Sequence, residues 1–307
     1  MPPGALPPVL FGKLPDRGDF VRHGGSPALD ALDTVTQRAL WPSLSSHEGP
    51  RFRFVYNPPG GPHLLAGALQ LSRDRVGRVY PLIAGRAVDR RELDPAAAPA
   101  WPLWWGGVFD EATTIVRGAV DGHAPFADVL ARVVALPDAP CPADAPPAAR
   151  HATAAAAIPA RDLFQRLPGG PEQALRVLHQ LALTFRRTPR PGYGLSLPLP
   201  QPSAGVARSD GVAFWLAAGA RLMTARPPWP TLFWTEDATG VPGTLVVFYG
   251  GLSSAALRPL LVGSPDPNTV LALDAGRPAA VPAAVARLLA DPSASVADVL
   301  ARLHTLV

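Results

Sequence analysis

The chain lacks several features that would point to a particular environment or chemistry. Its 307 residues contain one cysteine, Cys141, so an intramolecular disulfide and a cysteine-based metal cluster are both excluded. No apolar run approaches the roughly 20 residues that a membrane-spanning helix needs. The N-terminal stretch also lacks the basic and apolar segments of a secretory signal peptide. We therefore expect a soluble, cytoplasmic protein without membrane insertion.

Sequence motifs of common enzymes are missing as well. The Gly-Lys pair at 12–13 has neither the upstream glycine nor the following Ser or Thr of a phosphate-binding loop. Ser196 stands in Gly-Leu-Ser-Leu-Pro, where a proline replaces the last glycine of a nucleophile elbow. The seven histidines include no pair at the helical spacing of zinc ligands. These absences predict a non-enzymatic protein with no cofactor and no metal site.

Arginine supplies nearly all of the positive charge. Of the 28 basic residues, 27 are arginine and one, Lys13, is lysine; with 24 acidic residues the formal net charge is +4. The arginines are spread along the chain, whereas a nucleic-acid binder usually concentrates its basic residues in a stripe. No nucleic-acid partner is therefore predicted.

The periodicity of the first 136 residues predicts an α/β unit. A helix begins after Ser26, with Leu29, Leu32 and Thr36 on its apolar face. Three strands with short connections follow from residue 51 and predict an antiparallel meander covered by that helix. Two further helices, in the segments that begin at Trp104 and Pro125, complete the unit.

A stretch rich in proline and alanine, residues 137–160, has no periodicity. It predicts a linker or a long surface loop between two domains, 1–136 and 161–307. The fold class expected from both halves is α/β of the α+β type, with each unit a mainly antiparallel sheet packed against helices. The patterns leave open whether the two sheets are separate or continuous.

The second half repeats the mixture of helices and strands. A helix is predicted from Pro171, with Leu175, Leu178, Ala182 and Phe185 facing inward. The elements predicted after it are a strand near 193–199, a helix over 210–223 with Asp210 as a candidate cap, strands over 231–235 and 243–249, and helices over 282–290 and 293–307.

Two N-terminal segments, read together, resemble a known family. FGKLPDRGDFVRHG (11–24) and LSRDRVGRVYPL (71–82) are similar to the N-terminal signature of the type VI secretion-associated TagF family, also called ImpM. Three later segments, VAFWLAAGARLM, WPTLFWTED and GTLVVFYGGLS, are similar to the C-terminal part of that family. The resemblance covers nearly the whole chain except the Pro/Ala-rich stretch.

The resemblance implies a bacterial, cytoplasmic and non-enzymatic accessory protein of the type VI secretion system. Members of the family are posttranslational repressors that act through protein–protein interaction. The partner that the resemblance implies is a forkhead-associated-domain scaffold protein of the same system.

The polar residues of the two signature segments are the candidate site. They are Lys13, Arg17, Asp19, Arg22, Asp74, Arg75 and Arg78. If the segments adjoin, Asp19 is expected to pair with Arg75 or Arg78, and Lys13 or Arg17 with Asp74. One interpretation is an ion-pair network that fastens the N-terminal loop to the meander; the other is a charged surface that docks the partner.

The apolar and small residues of the first segment have an expected structural role. Phe11 and Phe20 are large anchors suited to fixing a turn onto the sheet, and Leu14-Pro15 bends the chain. Gly18 is the position expected to need a positive φ or a close backbone approach.

An alternative of a different class remains open from the sequence. The excess of basic residues in both segments also suits a nucleotide- or phosphate-responsive regulatory module. In that hypothesis Lys13, Arg17, Arg75 and Arg78 are anion ligands.

Overall fold

The structure is a computed structural model that describes residues 6–41, 48–139, 158–185, 192–203, 205–223, 228–236, 243–273, 287, 291 and 293–303. The described residues contain nine strands: β1 (Pro8–Gly12), β2 (Val21–His23), β3 (Phe52–Tyr56), β4 (His63–Arg73), β5 (Val79–Asp89), β6 (Gly194–Leu199), β7 (Thr231–Thr235), β8 (Gly243–Phe248) and β9 (Val270–Ala272).

Helices occupy the segments between and after the strands. Those of the described residues are α1 (Pro27–Ala39), α2 (Trp101–Trp104), α3 (Gly106–Val120), α4 (Phe126–Val134), α5 (Ala160–Gln165), α6 (Gly170–Phe185), α7 (Arg208–Leu222), α8 (Ser254–Leu261) and α9 (Val296–Ala301). Two 3₁₀ segments, Arg90–Glu92 and Pro95–Ala100, connect β5 to α2.

All nine strands belong to one sheet, in the order β2-β1-β5-β4-β3-β7-β8-β6-β9. Each neighbouring pair is antiparallel except β6 and β9, which are parallel. The predicted fold class, a mainly antiparallel sheet packed against helices, is confirmed. The question that the sequence left open is also answered, because β3 pairs with β7 and joins the strands of both halves into one continuous sheet.

Strand alternation explains why the sheet is covered on both faces. In β3, Phe52, Phe54 and Tyr56 pack on the face covered by α1 and α8, whereas Val55 packs on the opposite face. The opposite face is covered by α3 and α4 over the N-terminal strands and by α6 and α7 over the C-terminal strands. Side chains of successive strand residues point to opposite faces, so a strand with apolar residues on both sides belongs inside a three-layer structure.

Helix α1 forms as predicted from its sequence. The Ser26 hydroxyl accepts a hydrogen bond from the Leu29 N–H at 3.1 Å, and Pro27 occupies the first turn. Leu29, Leu32 and Thr36 are buried against the sheet. The helix therefore lies directly over the meander β3–β4–β5, as expected.

Other predicted elements are confirmed with shifted ends. Helix α7 begins at Arg208, so Asp210 is not the cap; its carboxylate lies in the first turn and accepts a hydrogen bond from the Ala207 N–H at 2.7 Å. Most of the predicted helix over 282–290 and most of the Pro/Ala-rich stretch lie outside the described residues. The division into domains 1–136 and 161–307 stays a prediction.

The sequence did not predict the first two strands. Residues 8–12 form β1, which pairs with β5 and also with the short edge strand β2. The opening signature segment is thus a hairpin at the sheet edge, with residues 13–20 as its loop, and not an isolated turn fixed onto the sheet.

The close backbone approach in this hairpin falls at Gly12 rather than at Gly18. Gly12 has a φ of +131°, and a Cβ placed there would lie 1.9 Å from the Pro81 carbonyl oxygen. At Gly18 an added Cβ would meet only a guanidinium nitrogen of Arg75, at 3.5 Å. The chain therefore needs glycine where β1 ends, because any side chain there would push β1 away from β5.

Two glycine substitutions separate backbone strain from steric conflict. Gly77 also has a positive φ, +91°, but an added Cβ would have no neighbour within 4 Å. Gly77→Ala is expected to lower the free energy of unfolding by about 1–2 kcal/mol, the cost of left-handed backbone for alanine. Gly12→Ala adds a collision with backbone and is expected to cost about 3 kcal/mol or more. Denaturant titration of both variants measures the difference, and equal costs would contradict this account of Gly12.

Candidate functional site

The two signature segments meet at the edge of the sheet. Because β1 pairs with β5, the loop that follows β1 lies beside the turn that precedes β5. The Arg75 N–H donates to the Arg17 carbonyl oxygen at 2.8 Å, and the Arg78 guanidinium donates to the Gly18 carbonyl oxygen. The loop 13–20 and the turn 74–78 are therefore one bonded unit, although about 60 residues separate them in the chain.

A buried ion pair lies at the centre of this unit. The Lys13 ammonium is 3.0 Å from Asp74 Oδ2, and the two side chains are 2% and 0% exposed. Of the two expected partners of Asp74, Lys13 makes the pair. The Asp19 carboxylate lies 3.9 Å from the same ammonium but is 89% exposed.

Asp74 also fixes the turn that carries it. Its Oδ1 accepts hydrogen bonds from the Val76 N–H at 3.0 Å and from the Arg78 N–H at 2.9 Å. Its Oδ2 accepts from Arg78 Nε at 2.8 Å. Burial alone raises the pKa of the Asp74 carboxyl, but Lys13 and the hydrogen bonds from Arg78 outweigh burial and lower this pKa to about 2. We call Lys13, Asp74 and Arg78, with the Gly18 carbonyl, the clasp.

Aromatic rings enclose the remaining side of the Lys13 ammonium. The ammonium lies 3.9 Å from the centre of the Phe20 ring, a cation–π contact. Phe20 stacks on Phe11 at 5.6 Å and meets Tyr80 edge-to-face at 4.9 Å. The Tyr80 hydroxyl donates to Asp33 Oδ1 at 2.5 Å, which ties the cluster to α1. Burial, reinforced by the Asp33 carboxylate, raises the pKa of Tyr80.

The other candidate arginines lie outside the clasp. Arg17 is half-exposed, lies over the Phe126 ring at 4.6 Å and is 3.9 Å from the Asp16 carboxylate. Arg22 is paired with Asp30 on α1. Both contacts are at the surface, where an ion pair contributes about 0–1 kcal/mol.

The pairing expected for Asp19 is not found. Within the described part of the chain, no ion pair joins Asp19 to Arg75 or Arg78. Arg78 is committed to Asp74 instead, and the Arg75 side chain is exposed without a carboxylate partner among the described residues. The reason is that Asp74 is buried in the turn and captures the nearest guanidinium, whereas Asp19 points into solvent.

Two apolar residues outside the candidate set belong to this site. Val76, at the tip of the β4–β5 turn, was passed over by sequence reasoning and is 69% exposed. Phe20, expected to fix a turn onto the sheet, is 45% exposed and forms part of the outer surface. The signal for Val76 was present in the pattern Arg-Asp-Arg-Val-Gly-Arg, where one apolar residue stands between arginines in a turn.

The exposed side chains form a surface that we call the outer face. Its members are Arg17, Asp19, Phe20, Arg75, Val76 and Arg78. The outer face combines charge with apolar area, whereas the Lys13–Asp74 pair of the clasp is buried beneath it; Arg78, which is 56% exposed, belongs to both. The candidate residues therefore divide into those that join the loop to the turn and those that face solvent.

The described ranges contain neither a cluster of metal ligands nor a membrane-spanning helix. No group of three or more His, Cys, Asp or Glu residues in these ranges is arranged to hold a metal ion. No helix in the same part of the chain is long and apolar enough to cross a membrane.

Comparison with known proteins identifies the N-terminal part. Residues 9–136 match the model of the TagF N-terminal domain, which is described as type VI secretion system-associated. The resemblance inferred from the signature segments is therefore confirmed for these residues, which make up less than half of the chain. No curated protein matches the chain.

One solved structure is similar over most of the chain. It is the crystal structure of PA0076 from Pseudomonas aeruginosa PAO1, with 17% sequence identity and a TM-score of 0.48. The similarity covers 84% of this chain and 96% of that one.

Two carboxamide substitutions test the division between clasp and outer face. Asp74→Asn leaves a buried ammonium without its counter-charge and is expected to lower the free energy of unfolding by about 3–5 kcal/mol. Asp19→Asn, at a carboxylate that is 89% exposed, is expected to cost about 0–1 kcal/mol. Denaturant titration of both variants compares them, and similar costs would contradict the clasp.

Asp74→Asn can also be followed chemically, through the reactivity of the Lys13 amine. Lys13 is the one lysine in the sequence, so an amine-reactive reagent can modify only Lys13 and the amino terminus of this chain. Peptide mapping is expected to show slow modification of Lys13 in the wild type and faster modification in Asp74→Asn. Rapid wild-type modification would show that the ammonium is not held in the clasp.

The lowered pKa of Asp74 predicts an acid dependence of stability. A carboxyl whose pKa falls on folding stabilises the protein fully above its unfolded pKa, and this contribution is lost as the pH falls towards the folded value. The stability difference between wild type and Asp74→Asn is therefore expected to be constant above pH about 4 and to shrink between pH about 4 and about 2. Chemical denaturation across this range measures the difference, and a constant gap would contradict the prediction.

Proposed function

We propose that this protein is an accessory protein of the bacterial type VI secretion system that acts by binding and has no catalytic step of its own. The observation that carries the proposal is the match of residues 9–136 to the TagF N-terminal domain, a type VI secretion system-associated domain. The protein partner that we propose is the forkhead-associated-domain scaffold protein of that system. Binding takes place in the cytoplasm, and its proposed consequence is repression of secretion.

The geometry of the signature segments supports a binding role. A buried ion pair holds two surface turns in one arrangement, and the outer side of these turns presents both charged and apolar side chains. A surface that is already ordered loses little conformational entropy when a partner binds. This arrangement suits recognition of a protein.

The anion-responsive alternative receives less support from the same geometry. Two of its four proposed cations, Lys13 and Arg78, are committed to the Asp74 carboxylate. The Lys13 ammonium is also buried and covered by the Phe20 ring, so an external phosphate has no access to it. The geometry therefore favours the protein-binding proposal over the anion-responsive one.

The first experiment measures binding and secretion together. The full-length chain is expected to bind the purified forkhead-associated scaffold encoded in the same genome, and its overproduction is expected to lower type VI secretion of effectors. Biolayer interferometry measures binding, and immunoblotting of culture supernatants measures secretion. Absence of binding by a correctly folded wild type would overturn the proposed partner.

A thermal-shift series against nucleotides and inorganic phosphate provides the matched control. A ligand that binds only the folded state stabilises it by RT ln(1 + L/Kd), where L is the free ligand concentration, so the melting temperature rises with ligand concentration. We expect no rise. A clear rise would favour the anion-responsive module over the protein-binding role.

A further inference from the structure

The turn that joins β4 to β5 exposes an apolar side chain between charged ones. Val76 is 69% exposed, and next to it Arg75 has no carboxylate partner among the described residues. Phe20, on the neighbouring loop, exposes 45% of its surface. A single exposed apolar residue is common on protein surfaces, so it is the fixed position of Val76 and the charge around it that indicate an interaction site.

The backbone of this turn is held in one conformation. Asp74 accepts from the N–H groups of Val76 and Arg78, and its own N–H donates to the Arg78 carbonyl at 3.0 Å. The Gly77 N–H donates to the Asp74 carbonyl at 2.9 Å. Because Val76 is held by its backbone and has a stiff β-branched side chain, it forms a fixed apolar projection.

The clasp supports the turn from below. A buried ammonium and carboxylate are costly to desolvate, and hydrophobic residues of similar volume often stabilise a protein equally well. A buried pair at this place is therefore better explained by the specific turn conformation that it fixes than by stability. The buried pair thereby fixes the positions of Val76 and Arg75 on the outer face.

The charge of the two turns selects the kind of partner. Loop 13–20 and residues 73–78 together contain five cations, Lys13, Arg17, Arg73, Arg75 and Arg78, against three carboxylates, Asp16, Asp19 and Asp74. Arg73 and Arg75 are exposed, and no carboxylate of the described residues pairs with either. The excess positive charge complements an acidic surface, and such complementarity chiefly sets association rate and specificity.

We propose that the β4–β5 tip is the docking site for an acidic segment of the protein partner, with Val76 entering an apolar depression and Arg75 pairing with a partner carboxylate. This inference rests on the proposed function, since the partner used to test it is the forkhead-associated scaffold. Beyond the proposed function, the inference names the surface that binds the partner and the acidic character of the segment that this surface recognises.

The test compares two tip variants with two matched controls in scaffold binding. The tip variants are Val76→Asp and Arg75→Glu. The controls are Val134→Asp, at an exposed valine (57%) that ends α4, and Arg161→Glu, at an exposed arginine in the first turn of α5. Circular dichroism melting curves establish that all four variants are folded.

Each tip variant is expected to weaken binding at least tenfold, and each control less than twofold. Raising sodium chloride from about 50 to about 500 mM is expected to weaken wild-type binding and to weaken Arg75→Glu binding much less, because that variant has lost the screened contact.

The possible failures are distinguishable. Wild-type binding with tip variants that bind equally well would overturn the docking site and leave the proposed function standing. Wild-type binding that does not change with salt would overturn the acidic character of the segment. A folded wild type that does not bind the scaffold would overturn both the proposed partner and this docking site.

Discussion

The buried pair of Lys13 and Asp74 is the interaction on which the candidate site depends. Without Asp74, the Lys13 ammonium would lose its buried counter-charge; without Lys13, the buried Asp74 carboxylate would keep only its pair with Arg78. The pair also joins two segments that are distant in sequence, because Lys13 follows β1 and Asp74 precedes β5. The arrangement of the outer face, including the exposed Val76, follows from this single contact and from the hydrogen bonds that Asp74 accepts.

A second constraint acts on the whole sheet. The TagF N-terminal domain match ends at residue 136, but the outer edge of β3 within it pairs with β7 from the second half. An unpaired β3 would present an open backbone edge and a row of apolar side chains, which is an aggregation hazard. The second half therefore completes the sheet of the first, and Phe233 of β7 stacks on Phe54 of β3 at 6.0 Å. A two-domain division along the chain and one continuous sheet are compatible when strands pair across the boundary.

The sequence predicted what depends on local patterns. Helix α1, the meander and most later elements follow from periodicity and caps, whereas the meeting of the two signature segments entered the sequence analysis only as a condition. Strand β1 was missed because it is short and begins at a proline, so its alternation is weak. The β3–β7 pairing has no local signal, since any two apolar strands can pair. Asp19 was assigned a partner by charge alone, whereas burial decided which carboxylate captured Arg78.

The identity of residue 13 shows how the site selects one side chain. The chain uses arginine at 27 of its 28 basic positions, including the buried Arg86 and Arg208, yet the buried cation of the clasp is a lysine. An ammonium is compact and fits between the Phe20 ring at 3.9 Å and the Asp74 carboxylate at 3.0 Å. A guanidinium carries five donors in a planar fork, and most of them would be buried there without acceptors because Asp74 already accepts from Val76 and Arg78. The single lysine therefore marks the one basic position that is buried in the clasp, and the arginines around it, Arg17, Arg75 and Arg78, remain exposed to solvent.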